Sequence, residues 1–448
     1  MSNCNFYFWI LPIIKRWYVV MNRKQRRELR KDKNLIIELY SIIKKYLPDL
    51  LNKFEKLTDV RHQSYVTYNM KTICVTRLFG LICGLTSLSN ISSDEFNTDV
   101  CIKNISSICN TQLTELPYWE TIQDVFMNIK ISELKDIQKY IVKTLLRSKM
   151  FDKYKFDGAF QLLFDGTGLS NHNYNLNGNC LKRKHKDGQI SYYKYVLECK
   201  LVVGNIVISL DSEFIENNQM LTEKQKQDCE TKAFKRMIKR IKSNYPKYKF
   251  IITGDGLYAT TPIINICKKY HWFFIFNLKP DRLKEVNDIF EGNIKLLNET
   301  SKTNYFLSSN IEFKNNLINV FKYIDIKNNK TTIFRYISNI IINNDNIDTI
   351  VQLGRKRWKI ENEGFYTQKH RTFDITHLNS RNDNSMKCHY YFIQFAHTIR
   401  QLLELGNLLA KSLKLKIKEV SANLLKSLTS TISDLNNIET NIQLRFDD

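Results

Sequence analysis

The sequence predicts an α/β fold with an all-α region in front of it, on three observations. Apolar residues recur at three- and four-residue spacing from about Asn34 to Met150, the period of helices that bury one face. From Phe156 the chain changes to short runs of β-branched and aromatic residues divided by Gly and Asn, which read as strands and turns. Helical spacing returns from Asp348 to the end. Strands interspersed with helices between these regions make an α/β core.

The elements follow in order. FYFWILPII at 6–14 is too short to span a bilayer and lacks a preceding basic stretch, so it reads as a hydrophobic leader or as translation upstream of a start near Met21, with no membrane partner. MNRKQRRELRKDK at 21–33 is a basic run of good helix formers, either a solvated face or an arm lying along phosphates. LIIELYSIIKKYLPDLL, VTRLFGLICGLTSL, TIQDVFMNI and DIQKYIVKTLL are helices, with Ser92-Ser93-Asp94 as a helix cap. FQLLF, YYKYVLECKLVV, NIVISLDSEFI and KFIITGD are strands, and the polar HNYNLNGNCLKRKHKDG is a loop. KQKQDCETKAFKRMIKRIKSNY is a helix with a basic face, TPIINICKKYH a helix and WFFIFNL a buried strand. TNYFLS, LINVFKYIDI and TTIFRYISNI add strands, and YFIQFAHTIRQLLELGNLLAKSL is the clearest amphipathic helix. The expected division is 1–33 leader and basic segment, 34–150 helical DNA-binding region, 151–280 first part of the core, 281–347 strand-rich insertion, and 348–448 second part of the core with C-terminal helices.

At 448 residues the chain has room for two or three domains and a sizeable core. Its 68 Lys+Arg against 45 Asp+Glu, formally +23, point to a polyanionic partner, because cations near phosphates release condensed counterions. The alternative is a basic protein from a Lys- and Asn-rich proteome. Ten cysteines are scattered without a CxxC pair, and eight histidines form no HxH or HxxxH. Common zinc sites are thereby disfavoured. Without a secretory signal, reduced thiols in the cytoplasm are expected.

AFQLLFDGTGLSN at 159–171 carries an apolar run into Asp165 and then Gly166-Thr-Gly168. A dinucleotide loop needs a third glycine and an immediate helix, and both are missing. KFIITGDGLY repeats the arrangement at Asp255. Two strand-end carboxylates on neighbouring strands suit hard divalent ions, although either alone could cap a turn. A third carboxylate lies in DTIVQLGRKRWKIENEGFYTQKH at 348–370. On a helix at about 100° per residue, Ile350, Val351, Leu353, Trp358 and Phe365 fall within roughly 80° of Glu361, which puts it in the apolar stripe. Arg357, one turn earlier, is the candidate ion-pair partner, and Glu363 reads as solvated.

FDGTG, GDGLY and RWKIENEGF together resemble the three catalytic motifs of DDE transposases of the bacterial IS4-like group. The match places Asp165 with Thr167, Asp255 with Tyr258, and Arg357 with Glu361, over roughly 156–369. It departs from the group's Tyr-x2-Arg-x3-Glu-x6-Lys pattern twice: Gly354 stands at the Tyr position and Gln368 at the Lys position, with Lys369 one residue late. The resemblance implies an RNase H-like core with a strand-rich insertion between the second Asp and the Glu. It implies that Asp165, Asp255 and Glu361 are catalytic and hold two Mg²⁺ or Mn²⁺ ions for strand cleavage and for attack of the freed 3′-hydroxyl on target DNA. Thr167, Tyr258, Arg357 and Lys369 would then work beside the DNA. The partner implied is double-stranded DNA, as terminal inverted repeats and target, bound by a homodimer in the bacterial nucleoid. Trp272 and Trp358 read as core residues, with base stacking as the alternative. Lys182, Arg183 and Lys184, in the basic run 182–186, and the run 232–242 are candidate DNA tracks. Two rivals remain at this point: a metal-dependent nuclease on the same fold, and a non-catalytic DNA-binding protein descended from such an element.

Overall fold

Among the described residues of the first third of the chain there are six α-helices: α1 (Leu35–Tyr46), α2 (Leu50–Glu55), α3 (Met70–Ile82), α4 (Asp99–Cys109), α5 (Trp119–Phe126) and α6 (Ile131–Arg147). The computed structural model describes residues 34–217, 227–300, 302–327, 330–408 and most of 417–446, so the apolar stretch at 6–14 and the basic run at 21–33 lie outside the described residues. One apolar run yields both α1 and α2 because Pro48, between them, has no N–H to donate. Asn34 caps α1, accepting from the N–H of Ile36 at 2.9 Å. The cap expected at Ser92-Ser93-Asp94 is instead the end of a short 3-10 turn at Ser89–Ser92, and Thr98 caps α4 by accepting from Cys101.

The strands are β1 (Ala159–His172), β2 (Leu181–Lys184), β3 (Ile190–Val203), β4 (Ile206–Ile215), β5 (Lys249–Gly254), β6 (Phe273–Asn277), β7 (Lys295–Glu299), β8 (Thr303–Phe313), β9 (Asn316–Lys327) and β10 (Lys330–Ser338). Among the described residues they form one ten-stranded sheet. Its centre runs β4-β3-β1-β5-β6, with β3 and β4 antiparallel to their neighbours and β1, β5 and β6 mutually parallel. Three antiparallel strands followed by two parallel ones are the RNase H-like core. The strand-rich insertion continues the sheet from β6 through β10, β9 and β8 to β7.

One face carries α7 (Glu230–Asn244) and α8 (Thr261–Tyr270), through contacts such as Phe164 on Phe234. On the other face, α10 (Ile347–Arg355) packs over Ala159, Ile251 and Ile275, and a π-helix (Ile360–Arg371) packs over Leu163, Val202 and Val207. Beside them runs α11 (Asp383–Glu404). The sequence marked this helix as amphipathic, yet it is buried almost all round, because it lies between the N-terminal helices and the sheet. Two further helices, α9 (Lys284–Gly292) and α12 (Ile417–Leu428), complete the described structure. No described helix is long and apolar enough to cross a membrane. The nine described cysteines are free, and all but Cys229 are buried.

The largest difference from the sequence reading concerns β1, which does not end at Asp165. It runs on to His172 because β3 is equally long and pairs with it from Gln161↔Val202 to His172↔Tyr192. That ladder holds Gly166 and Gly168 extended despite their poor strand propensity. On its other side β1 loses β5 after Leu163↔Thr253. Asp165 is therefore mid-strand, just past the point where its parallel neighbour stops. The stretch expected to be a loop supplies β2, which pairs with β3.

Candidate active site

Alternation along β1 puts Leu163, Asp165 and Thr167 on one face, together with Glu198 and Lys200 of β3. Asp255 follows β5 directly, and its Oδ1 accepts from the Leu257 N–H at 2.8 Å, which shapes the turn into Tyr258. Glu361 comes from the first turn of the π-helix and accepts from Arg357 at 2.8 Å. It lies at the margin of the packed face, not in its middle. The sequence wheel assumed one α-helix, whereas the chain turns at 356–357 and rewinds as a π-helix, so 100° per residue does not hold across it.

Asp165 senses its surroundings strongly. Burial pushes its carboxyl up to about 7, Arg357 opposes the rise, and Glu361 and Glu230 add to it. Glu230 in turn is raised by burial and by Asp255. Asp165 thus feels Glu361 and Glu230 directly, and Asp255 is linked to them through Glu230. Among the described residues no three His, Cys, Asp or Glu side chains approach closely enough to grip an ion; Glu361 is drawn to Arg357 instead. The donor chemistry nevertheless fits a hard divalent cation, since all the donors are carboxylate oxygens and a buried carboxylate needs an opposite charge to ionise.

A pH dependence follows. The folded protein keeps a proton on Asp165 up to about pH 7, which an unfolded chain loses near its ordinary carboxylate pKa of about 4. The metal-free protein is thus expected to lose stability from this group as pH rises from the unfolded value through the folded one. Ion binding must displace that proton, so Mn²⁺ affinity should fall by about tenfold per pH unit below the folded pKa. Mn²⁺ titrations at three pH values spanning this range check it, and a flat profile would contradict it.

The remaining expected site residues divide. Lys369 is half-buried; burial lowers its pKa and the charge of Asp165 opposes that, so it faces the site. Gln368 points away and is fully buried, bonding Gln394 at 2.8 Å. Winding at about 80° per residue explains the exchange, because it turns Gln368 nearly opposite Glu361 and brings Lys369 to the flank. The group's Tyr position is filled differently as well: a Cβ on Gly354 would lie 2.8 Å from the ring of Tyr336. Thr167 and Tyr258 are 4% and 1% exposed and are packed beneath the surface. Arg357 is also buried, and its guanidinium lies 4.4 Å over the ring of Trp358. Trp272 is core, edge-on to Phe250, but Trp358 is 49% exposed and free to meet a ligand.

Lys182, Arg183 and Lys184 are exposed on β2, on the arm that β1 and β3 extend beyond the aspartates. Within 232–242, Arg236 is tied to Glu213 and Asp228, and Arg240 to Asp211 and Glu213. Those two arginines are neutralised internally, so they make a weaker phosphate track than the run suggested. A 650 Å³ cavity lined by Lys249, Lys268, Trp272 and Phe273 opens at the other end of β5 and β6, away from the carboxylates.

Sequence reasoning missed the ion pair beneath the site. Lys200 and Glu198, both fully buried, lie 3.1 Å apart, and Glu198 also accepts from Ser209, Ser212 and Tyr390. Lys200 donates to Gln394, the partner of Gln368, so this network anchors the π-helix that carries Glu361 and Lys369. Its signal was available: two charges two residues apart in the apolar strand VLECKLVV. Glu230 was missed too, inside a helix read as basic.

These features define an RNase H-like protein with carboxylates gathered where its parallel strands end. The model of the transposase DDE domain family matches residues 162–399, more than half of the chain, and spans Asp165, Asp255 and Glu361. The chain belongs to that family. No curated protein matches it.

Proposed function

We propose that the protein is the DNA transposase of an IS4-like insertion sequence, cutting DNA at the element's ends and joining the freed 3′-hydroxyl to target DNA. The supporting observation is that Asp165 on β1 and Asp255 just after β5 stand toward the same end of two adjoining parallel strands, with Glu361 of the π-helix close enough for its charge to act on Asp165. In this reading the three carboxylates hold two Mg²⁺ or Mn²⁺ ions. When bound, the ions lower the pKa of a water or hydroxyl and offset charge on the phosphate in flight. Arg357 holds Glu361 in place, and its planar guanidinium would suit bidentate contact with a phosphate beside it. Lys369 supplies a cation on the Asp165 side, and exposed Trp358 offers a ring for an unstacked base. Two ends cut together imply a dimer on DNA.

Incubating the purified chain with end-containing duplex and Mg²⁺ tests this. Joined strand-transfer product is expected, and hydrolysis without joining would leave the nuclease reading in its place. Replacing Lys182, Arg183 and Lys184 by Ala should weaken duplex binding and flatten its dependence on log salt by about 0.9 for each phosphate no longer neutralised. An unchanged slope in binding titrations would remove this arm from the DNA path.

A further inference from the structure

The glycines beside the two aspartates make room for tyrosines. A Cβ on Gly166 would lie 2.4 Å from the ring of Tyr195 and 2.6 Å from Glu230 Oε1, and one on Gly254 would lie 2.5 Å from the ring of Tyr258. No side chain fits at such distances, so both tyrosines depend on those glycines for their positions. Both converge on one residue: Tyr195 donates its hydroxyl to Glu230 Oε1 at 3.0 Å, and Tyr258 to Oε2 at 3.4 Å.

Glu230 opens α7, on the face of the sheet opposite the π-helix. It reaches the strands where β1 has outrun β5, beyond the Leu163↔Thr253 pair. Its charge is felt by Asp165 and it feels that of Asp255. Two neutral hydroxyls orient it, and no cation pairs with it among the described residues. A carboxylate so held beside two others is costly until a cation joins them.

We propose that Glu230 is a fourth carboxylate of the divalent-ion site, positioned by Tyr195 and Tyr258 and admitted by Gly166 and Gly254. This rests on the reading of Asp165 and Asp255 as ion ligands. The site is thus approached from both faces of the sheet, by Glu361 on one side and Glu230 on the other. Tyr258, buried beneath the site, acquires a role as an orienting partner of a ligand.

Mn²⁺ binding to the full chain, followed by the electron paramagnetic resonance of the free ion, tests the assignment without measuring DNA cleavage. Glu230→Gln is expected to weaken at least one ion by about tenfold or more, and Tyr195→Phe by about tenfold. The metal-free melting temperature of Glu230→Gln should not fall, since a like charge is removed. Wild-type Mn²⁺ binding by Glu230→Gln, alongside loss in Asp165→Asn, overturns the role of Glu230 and leaves the aspartates' role standing. Wild-type binding in Asp165→Asn as well overturns both. Should Glu230→Gln not fold, Tyr195→Phe decides, because undiminished affinity in that variant counts against a positioned Glu230.

Discussion

Asp165→Asn is expected to lower metal-dependent cleavage and strand transfer by about 10³-fold or more, the loss that follows when several kcal/mol of ion-based stabilisation disappear. The protein should stay folded. Asp165 is largely buried and its carboxyl holds a proton to about pH 7, so a neutral amide of the same shape replaces a group that is already half neutral there. Near neutral pH, removing its charge also relieves repulsion with Glu361 and Glu230. The metal-free melting temperature should therefore hold or rise while activity vanishes. Cleavage and joining assays, run beside a thermal melt at about pH 7, the folded pKa of this group, separate this from misfolding. Retained Mg²⁺-dependent nicking in a folded variant would remove Asp165 from the chemistry, and absence of nicking in the wild type as well would favour the non-catalytic rival.

Much of the fold was legible because its signals are local. Helical period in the first third, short β-branched runs in the middle and the order of those runs lead to the observed elements. Asp165 and Asp255 stood out because an apolar run into a carboxylate flanked by glycine is readable within a single short stretch. What was hidden depends on pairing across the chain. Whether β1 stops at Asp165 or continues is decided by the length of β3, further along the chain. Why Gly166 and Gly254 are glycines is decided by Tyr195 and Tyr258, whose rings occupy the space a Cβ would need. The lone carboxylate at the head of a basic helix, Glu230, carries no signal until those tyrosines are placed around it. The π-winding was beyond reach for a different reason: no residue type marks an i→i+5 turn, and it shows only through what it buries.

That winding carries the sharpest test, on the position where this chain departs from the group's pattern. Restoring the pattern with Gln368→Lys is expected to destabilise the protein by roughly 3 kcal/mol or more, the cost of an uncompensated buried charge. Gln368 is fully buried, with Nε2 2.8 Å from both Gln394 Oε1 and His397 Nδ1. Lys200 donates to that same Gln394 oxygen. A second ammonium there would meet Lys200, already pushed down by burial, and His397, held neutral by burial and by Lys200 and Arg400. Glu198, the carboxylate of this network, is already committed to Lys200. Lys369→Ala should behave in the opposite way, lowering strand transfer by about tenfold through loss of a phosphate-directed cation with little change in melting temperature. Urea unfolding of both variants gives the comparison. A Gln368→Lys, Lys369→Gln double variant that folds and joins DNA like wild type would show that the helix can rewind as an α-helix, and that the one-residue offset is not locked by the Glu198–Lys200–Gln394 network.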